Sequence, residues 1–193
     1  MNQIDLRTPM AALLVCALAA PAWADAAADV QTKIDGALKS AKSFAVTTRY
    51  PAQEYSSTLV HVAPDRSRVV VAVSANTTDV VTIGNTSYSS KNGTPFERAL
   101  VSAEAGAQLK SLVSVKVGAI LADVTIAGKT YGAFDTTVPL GGPVRLTCTY
   151  DKKTFRLARC ANDEVTQTYA NYDDPDNVVD PPKDSVDAPR GEQ

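Results

Sequence analysis

His61 is the only histidine of this 193-residue chain, so it is the first residue to consider for catalytic chemistry. It lies between Val60 and Val62, in a segment whose composition is typical of a strand. A serine or cysteine hydrolase needs such a base beside an activated nucleophile, with a carboxylate to orient the base. The sequence contains no G-x-S-x-G motif to supply that nucleophile. We therefore predict an ordinary strand residue at His61, no catalytic residue in the chain and no enzymatic activity.

The carboxylates could do two other kinds of chemistry. Oxygen ligands of the kind that calcium prefers occur near the C-terminus, at Asp173, Asp174, Asp176 and Asp180. Their spacing is not that of an EF-hand loop, and prolines interrupt the run, which favours a solvated segment over a metal site. A carboxylate pair for glycoside hydrolysis is defined in space, so the sequence alone does not identify one. We predict no metal site and no cofactor.

The chain has three cysteines. Cys16 lies within the first 24 residues, which are predicted to be cleaved as a signal peptide, so the mature chain keeps Cys148 and Cys160. An even number of cysteines in an exported protein favours a disulfide, and two thiols with one distant histidine are too few for zinc. A tight turn at residues 151–153 would place Cys148 opposite Arg156, with Cys160 roughly 13 Å farther along the strand. A disulfide needs Cα atoms within about 7 Å. We predict the disulfide, which requires a wider or bulged hairpin; with the tight turn, both thiols would be free.

Glycine and asparagine recur together in the segment 80–97, VVTIGNTSYSSKNGTPFE, at Gly84-Asn85 and Asn92-Gly93. A glycine-containing loop that cradles a phosphate leads directly into the N-terminus of a helix. No helical pattern follows either glycine, whereas both follow short strand-like runs. These residues are therefore predicted to form the corners of a β-sheet.

The first 24 residues have the pattern of a cleaved signal peptide. Arg7 precedes the apolar run 11–20, which is too short to span a bilayer, and Ala22 and Ala24 occupy the small-residue positions of a cleavage site. A lipoprotein signal at Cys16 would need a small residue where Val15 stands. We predict cleavage after Ala24 and a periplasmic protein. Its net charge of −2, without a basic patch, argues against nucleic-acid partners.

Two helices and about ten strands are expected in the remaining chain. Residues 26–42 carry apolar side chains at helical spacing, and Ser102 can cap a second helix that ends near Gly118. Strands are predicted over 44–50, 56–63, 68–74, 79–83, 86–90, 119–126, 131–138, 144–150, 154–160 and 164–172. The segments between the strands are too short for helical crossovers, so the sheet must be antiparallel.

The predicted fold class is α+β. A large, curved antiparallel sheet forms a half-barrel, and two helices cover its concave face. Residues 25–182 make a single domain, with a short edge segment around Val178-Val179. Residues 183–193 are predicted to be a disordered tail.

Two segments carry a further pattern, 80–97 (VVTIGNTSYSSKNGTPFE) and 168–182 (TYANYDDPDNVVDPP). Together they resemble the LolA-like superfamily of periplasmic lipoprotein and lipid carriers. In that superfamily a strand ends in Ile-Gly, and a turn, a tyrosine, a glycine and an apolar residue follow. The matching residues here are Ile83, Gly84, Tyr88, Gly93 and Phe96. A tyrosine-rich strand then leads into a Pro- and Val-containing edge, here Tyr169, Tyr172, Pro175, Val178, Val179, Pro181 and Pro182.

The resemblance implies a half-barrel around an apolar cavity that takes up acyl chains and performs no reaction. The chain departs from the superfamily at Pro95-Phe96, where tryptophan is common. The residues expected to line the cavity are Leu59, Val69, Val71, Val73, Ile83, Leu109 and Leu112. The expected partners are a hydrophobic ligand or the acyl chains of a lipoprotein, bound by a monomer. The alternative is an envelope sensor or scaffold that binds a protein partner and has a filled core.

Overall fold

The computed structural model describes residues 21–101, 114–139 and 143–188. One α-helix, α1 (Pro21–Ser40), precedes a 12-stranded sheet. The strands are β1 (Ser43–Tyr50), β2 (Tyr55–Val62), β3 (Arg66–Val73), β4 (Asn76–Ile83), β5 (Thr86–Lys91), β6 (Phe96–Leu100), β7 (Ile120–Ile126), β8 (Lys129–Pro139), β9 (Pro143–Tyr150), β10 (Leu157–Ala161), β11 (Thr166–Ala170) and β12 (Ser185–Asp187). The single 3₁₀ turn of the described residues, Pro51–Gln53, joins β1 to β2.

The sheet consists of two antiparallel meanders joined side by side, with the short strand β12 added in parallel at one edge. Its strand order is β12-β6-β5-β4-β3-β2-β1-β11-β10-β9-β8-β7. The first meander runs from β1 to β6 and the second from β7 to β11, and they meet where Val46 of β1 pairs with Tyr169 of β11. The predicted large, curved antiparallel sheet is confirmed. One predicted helix is present as α1; the other, begun by Ser102, falls mainly on residues 102–113, outside the described residues.

The helix α1 covers one face of the sheet, which we call the inner face; the opposite face is the outer face. Val30 and Ile34 of α1 are 9% and 0% exposed and pack in the core. The inner-face side chains of β1, β2 and β8–β11 form most of the rest of this core, among them Phe44 and Phe134 at 1% and 0% exposure. Val115 and Val117, in the segment before β7, also belong to it. The helix begins at Pro21, five residues before the predicted start, and ends at Ser40.

The predicted sheet corners are confirmed at both glycine-asparagine pairs. Gly84 has a φ of 56° in the two-residue loop between Ile83 and Thr86. Asn92 and Gly93 have φ values of 50° and 75°, and the Thr94 amide donates to the Lys91 carbonyl at 3.0 Å. Positive φ at both central residues is what a type I′ turn requires. Strand β6, which follows this turn, was not predicted, because its sequence FERAL does not alternate between apolar and polar residues.

The β9–β10 hairpin is the wider, bulged form that the predicted disulfide requires, and the disulfide is present. The β9–β10 loop spans Asp151 to Arg156, and the Asp151 carboxylate accepts hydrogen bonds from the amides of Lys153 and Thr154. A register shift between Leu157 and Arg159 adds a bulge to β10. Cys148 and Cys160 are therefore directly opposite each other, with their Cα atoms 3.9 Å apart, and are bonded.

The C-terminal segment also differs from its prediction. The edge strand is Ser185–Asp187, which pairs in parallel with β6, and Val178-Val179 lies outside the regular structure. Arg98 of β6 pairs with Asp187 of β12 at 2.6 Å. Disorder from residue 183 onward is thus wrong for residues 183–188; residues 189–193 lie outside the described residues.

Gly132 provides a test of packing between neighbouring strands. A Cβ atom at this position would lie 2.3 Å from Cζ of Tyr150, whose ring stacks on Phe155 with centroids 5.5 Å apart. The substitution Gly132→Ala must displace the tyrosine ring, and we expect it to lower the free energy of unfolding by about 1–3 kcal/mol in urea denaturation. Gly36→Ala in α1 is the matched control, because no atom lies within 4 Å of its added Cβ. Helix propensity should make that variant more stable by up to about 1 kcal/mol. Equal effects at the two sites would contradict the tight contact.

Candidate functional site

The candidate site is an apolar strip on the inner face of the first meander. We define the valine strip as Leu59, Val69, Val71, Val73 and Val80. Leu59 of β2 is opposite Val69 of β3, which in turn is opposite Val80 of β4, so these three form one row across the sheet. Val71 and Val73 continue along β3 on the same face, because side chains two apart in a strand share a face.

Exposure along the valine strip increases away from the core. Leu59 is 5% exposed and belongs to the core, and Val69 packs against the core as a half-buried residue. Val71 and Val80 are half-buried and lie outside the core cluster, and Val73 is 43% exposed. The inner face therefore remains apolar beyond the part that α1 covers. Such a surface can bury hydrocarbon, with a gain of about 0.8 kcal/mol for each methylene removed from water.

Uncharged polar groups surround the valine strip. Ser57 and Thr78 stand opposite Val71 on its two sides, and Tyr55 stands opposite Val73. The ring of Tyr55 meets that of Tyr50 edge to face at 5.4 Å, and burial raises the pKa of Tyr50. The phenol of Tyr50 is therefore neutral at pH 7. This site can hold an apolar chain beside hydroxyl groups, and charged side chains enter its rows only on β5 and β6, at Lys91 opposite Thr78 and at Glu97 opposite Ser89.

The structure brings together only part of the predicted cavity lining. Leu59, Val69, Val71 and Val73 share the inner face, whereas Ile83 points to the outer face, where it pairs with Arg66. The predictions at Leu109 and Leu112 lie outside the described residues. Val80 was missed by sequence reasoning. It could have been found from its register opposite Val69, had the two-residue loop at Ser74-Ala75 been recognised.

His61 lies within β2 and faces the inner side of the sheet, so the prediction of a strand residue at this position is confirmed. Its ring is tilted against that of Phe44, with centroids 5.2 Å apart, and burial lowers its pKa. It is neutral at pH 7 and packs as an aromatic side chain at the margin of the core.

The aspartates near the C-terminus are engaged in local contacts. Asp173 accepts a hydrogen bond from the amide of Lys42 and pairs with Arg156, and both interactions lower the pKa of its carboxyl group. Asp174 accepts a hydrogen bond from the amide of Asp176 at 2.9 Å. In the described parts of the chain, no group of three or more histidine, cysteine or acidic side chains is arranged to hold a metal ion.

An open pocket of about 430 Å³ lies where the β2–β3 turn meets residues 177–180. Arg66 lines it, and its guanidinium donates to the Val179 carbonyl at 3.2 Å and lies 3.7 Å from the Asp180 carboxylate. Because the guanidinium is already paired, its role here is to hold the C-terminal segment against the sheet.

Comparison with known proteins identifies the class of fold. No family model matches the chain, and no curated protein matches it in sequence. Among solved structures, LprF from Mycobacterium bovis is 16% identical, with a TM-score of 0.51 over 84% of this chain and 99% of LprF. The Mycobacterium tuberculosis lipoprotein LppX is 12% identical, with a TM-score of 0.52 over 78% of this chain and 97% of LppX.

The chain has the fold of LprF and LppX, and the fold expected from the resemblance noted in the sequence is confirmed. Both matches extend over nearly the whole of the other protein, so the likeness covers a complete domain. Among the described residues, no helix has the length and hydropathy needed to cross a membrane.

Proposed function

We propose that this chain is an exported, non-enzymatic periplasmic protein that binds a lipid, an acyl chain or another hydrophobic ligand and carries it across the periplasm. The valine strip carries the proposal, since it extends the apolar inner face beyond the core. The ligand would lie along Val69 and Val71 and make its polar contacts with Ser57 and Thr78. Binding would derive from burial of hydrocarbon and would need no cofactor.

Two features support export. The predicted signal peptide, residues 1–24, would direct the chain out of the cytoplasm, and the first turn of α1 would be removed with it. The disulfide joins Cys148 and Cys160, which are 0% and 1% exposed. Disulfides persist in oxidising compartments and are rare in the cytosol.

A second candidate function is that of an envelope sensor or scaffold that binds a protein partner. The observation that favours it is the filled inner face beneath α1, where Phe44, Val46 and Phe134 are at most 3% exposed. A ligand would then have no place under the helix, and the exposed part of the valine strip would contact protein.

Neighbouring residues of β3 allow a matched test of ligand binding. Val71 faces inward and Val70 outward, and both are half-buried. In a titration with a fluorescent fatty acid, Val71→Gln should weaken binding about tenfold, because losing one buried valine contact costs about 1.4 kcal/mol. Val70→Gln should leave the affinity within about twofold, at a similar cost in stability. Equal losses in both variants, or no binding by the unchanged protein, would contradict the hydrophobic-ligand proposal.

Native mass spectrometry of the protein isolated from periplasm separates the two candidates. A retained lipid supports the carrier. Recovery of a single protein partner without lipid supports the sensor or scaffold and removes the carrier.

A further inference from the structure

Two arginines on the outer face of the sheet form no ion pair with a carboxylate of the described residues. Most arginines of the described residues lie beside an aspartate, namely Arg66, Arg68, Arg98, Arg145 and Arg156. The exceptions in the described chain are Arg49 of β1 and Arg159 of β10, which have no carboxylate within salt-bridge distance. Both side chains are exposed. Neither guanidinium is neutralised by a carboxylate of the described residues, so both are available to an anionic ligand.

The sheet register places these two arginines on either side of β11. Arg49 is opposite Thr166, and Arg159 is opposite Thr168, one row farther along the same outer face. With about 4.8 Å between strands and about 6.8 Å for two residues, the two Cα atoms are about 12 Å apart. The guanidinium of Arg159 donates to the Thr166 hydroxyl at 3.4 Å, which brings it toward the row of Arg49.

The strand positions around the pair are uncharged, and the acidic residues of the adjoining β10–β11 turn, Asp163 and Glu164, are not within salt-bridge distance of either arginine. The outer-face positions of β1, β10 and β11 are Ala45, Thr47, Arg49, Arg159, Ala161, Thr166, Thr168 and Ala170. No carboxylate is among them. Asp135 lies two strands beyond Ala161. Its carboxylate already forms an ion pair with Arg145 and accepts a hydrogen bond from the amide of Ala119. At low ionic strength two exposed like charges at about this separation repel each other, and an anion between them would relieve that repulsion.

We propose that Arg49, Arg159 and the hydroxyl of Thr166 form a binding site for a phosphate-type oxyanion on the outer face. Guanidinium groups present paired N–H donors that match the oxygen atoms of phosphate, and hydroxyl donors complete the coordination. The anion is either free inorganic phosphate or the phosphate of a lipid headgroup. The site is on the face opposite the valine strip, so it does not depend on the proposed hydrophobic ligand.

The test is an NMR titration of the mature protein with inorganic phosphate at low ionic strength. We expect saturable shifts of the Thr166 and Thr168 amides with a dissociation constant of about 1 mM. The double variant Arg49→Gln/Arg159→Gln should weaken binding at least about tenfold. The charge-matched control is Lys153→Gln/Lys183→Gln, which removes two exposed lysines elsewhere on the surface and should change the affinity less than about twofold. Circular dichroism checks that each variant is folded.

A second arm measures sedimentation with phosphatidylglycerol and phosphatidylcholine vesicles. Arginine-dependent binding to phosphatidylglycerol vesicles as well as to phosphate supports the proposal with a lipid headgroup as the source. Arginine-dependent binding of phosphate alone supports it with a free anion as the source. Absence of phosphate binding, or equal weakening by the arginine and lysine double variants, overturns it.

Discussion

The double substitution Cys148→Ala/Cys160→Ala is expected to lower the free energy of unfolding by about 3 kcal/mol. The disulfide closes a loop with a sequence separation of 12 residues. Cross-linking a loop of that length removes entropy from the unfolded chain worth about 3 kcal/mol. For a domain of this size, the melting temperature should fall by about 6–12 °C. Urea denaturation under oxidising conditions measures the difference directly.

Reduction provides the control for this result. The unchanged protein in a reducing agent should resemble the double variant, whereas the reducing agent should not alter the variant. The two cysteines are substituted together because a single substitution leaves one thiol buried in the core and free to react. Stability of the double variant within about 0.5 kcal/mol of the unchanged protein would show that the β9–β10 hairpin holds its register without the bond.

The substitution Ile34→Ala is expected to be the most damaging change in α1, with a loss of about 2–5 kcal/mol. Ile34 is 0% exposed and packs in the core cluster with the inner face of the sheet. Removing its side chain leaves a cavity between the helix and the sheet, and the sheet cannot close this cavity without breaking its pairing. Thermal or urea unfolding of the variant measures the loss.

Thr32→Ala is the matched control within the same helix. The Thr32 side chain is exposed, and its hydroxyl donates to the carbonyl of Ala28 at 2.9 Å. Its removal should change the free energy of unfolding by less than about 0.5 kcal/mol. If both variants lost the same amount, α1 would be stabilised by its own helix propensity and not by packing on the inner face.

Local patterns were sufficient to predict most strands and the first helix. Residues with strand propensity alternate in β1, β3 and β7, and glycine with asparagine marks the turns, because both effects act over a few residues. Val30 and Ile34 were recognisable as the buried side of α1 from their helical spacing. The resemblance to the LolA-like superfamily likewise rested on short segments around Ile83-Gly84 and Tyr169.

The sequence by itself determined most of the strands, the turns at the glycine-asparagine pairs, and that Cys148 and Cys160 are the two cysteines that could form a disulfide. Only the tertiary structure decided the register between strands. A shift of one residue moves a side chain to the other face, which is why Val80 and not Ile83 belongs to the valine strip. Register also decided that the disulfide could form and that Arg49 and Arg159 remain without an aspartate. These contacts join residues distant in sequence, so no local pattern specifies them.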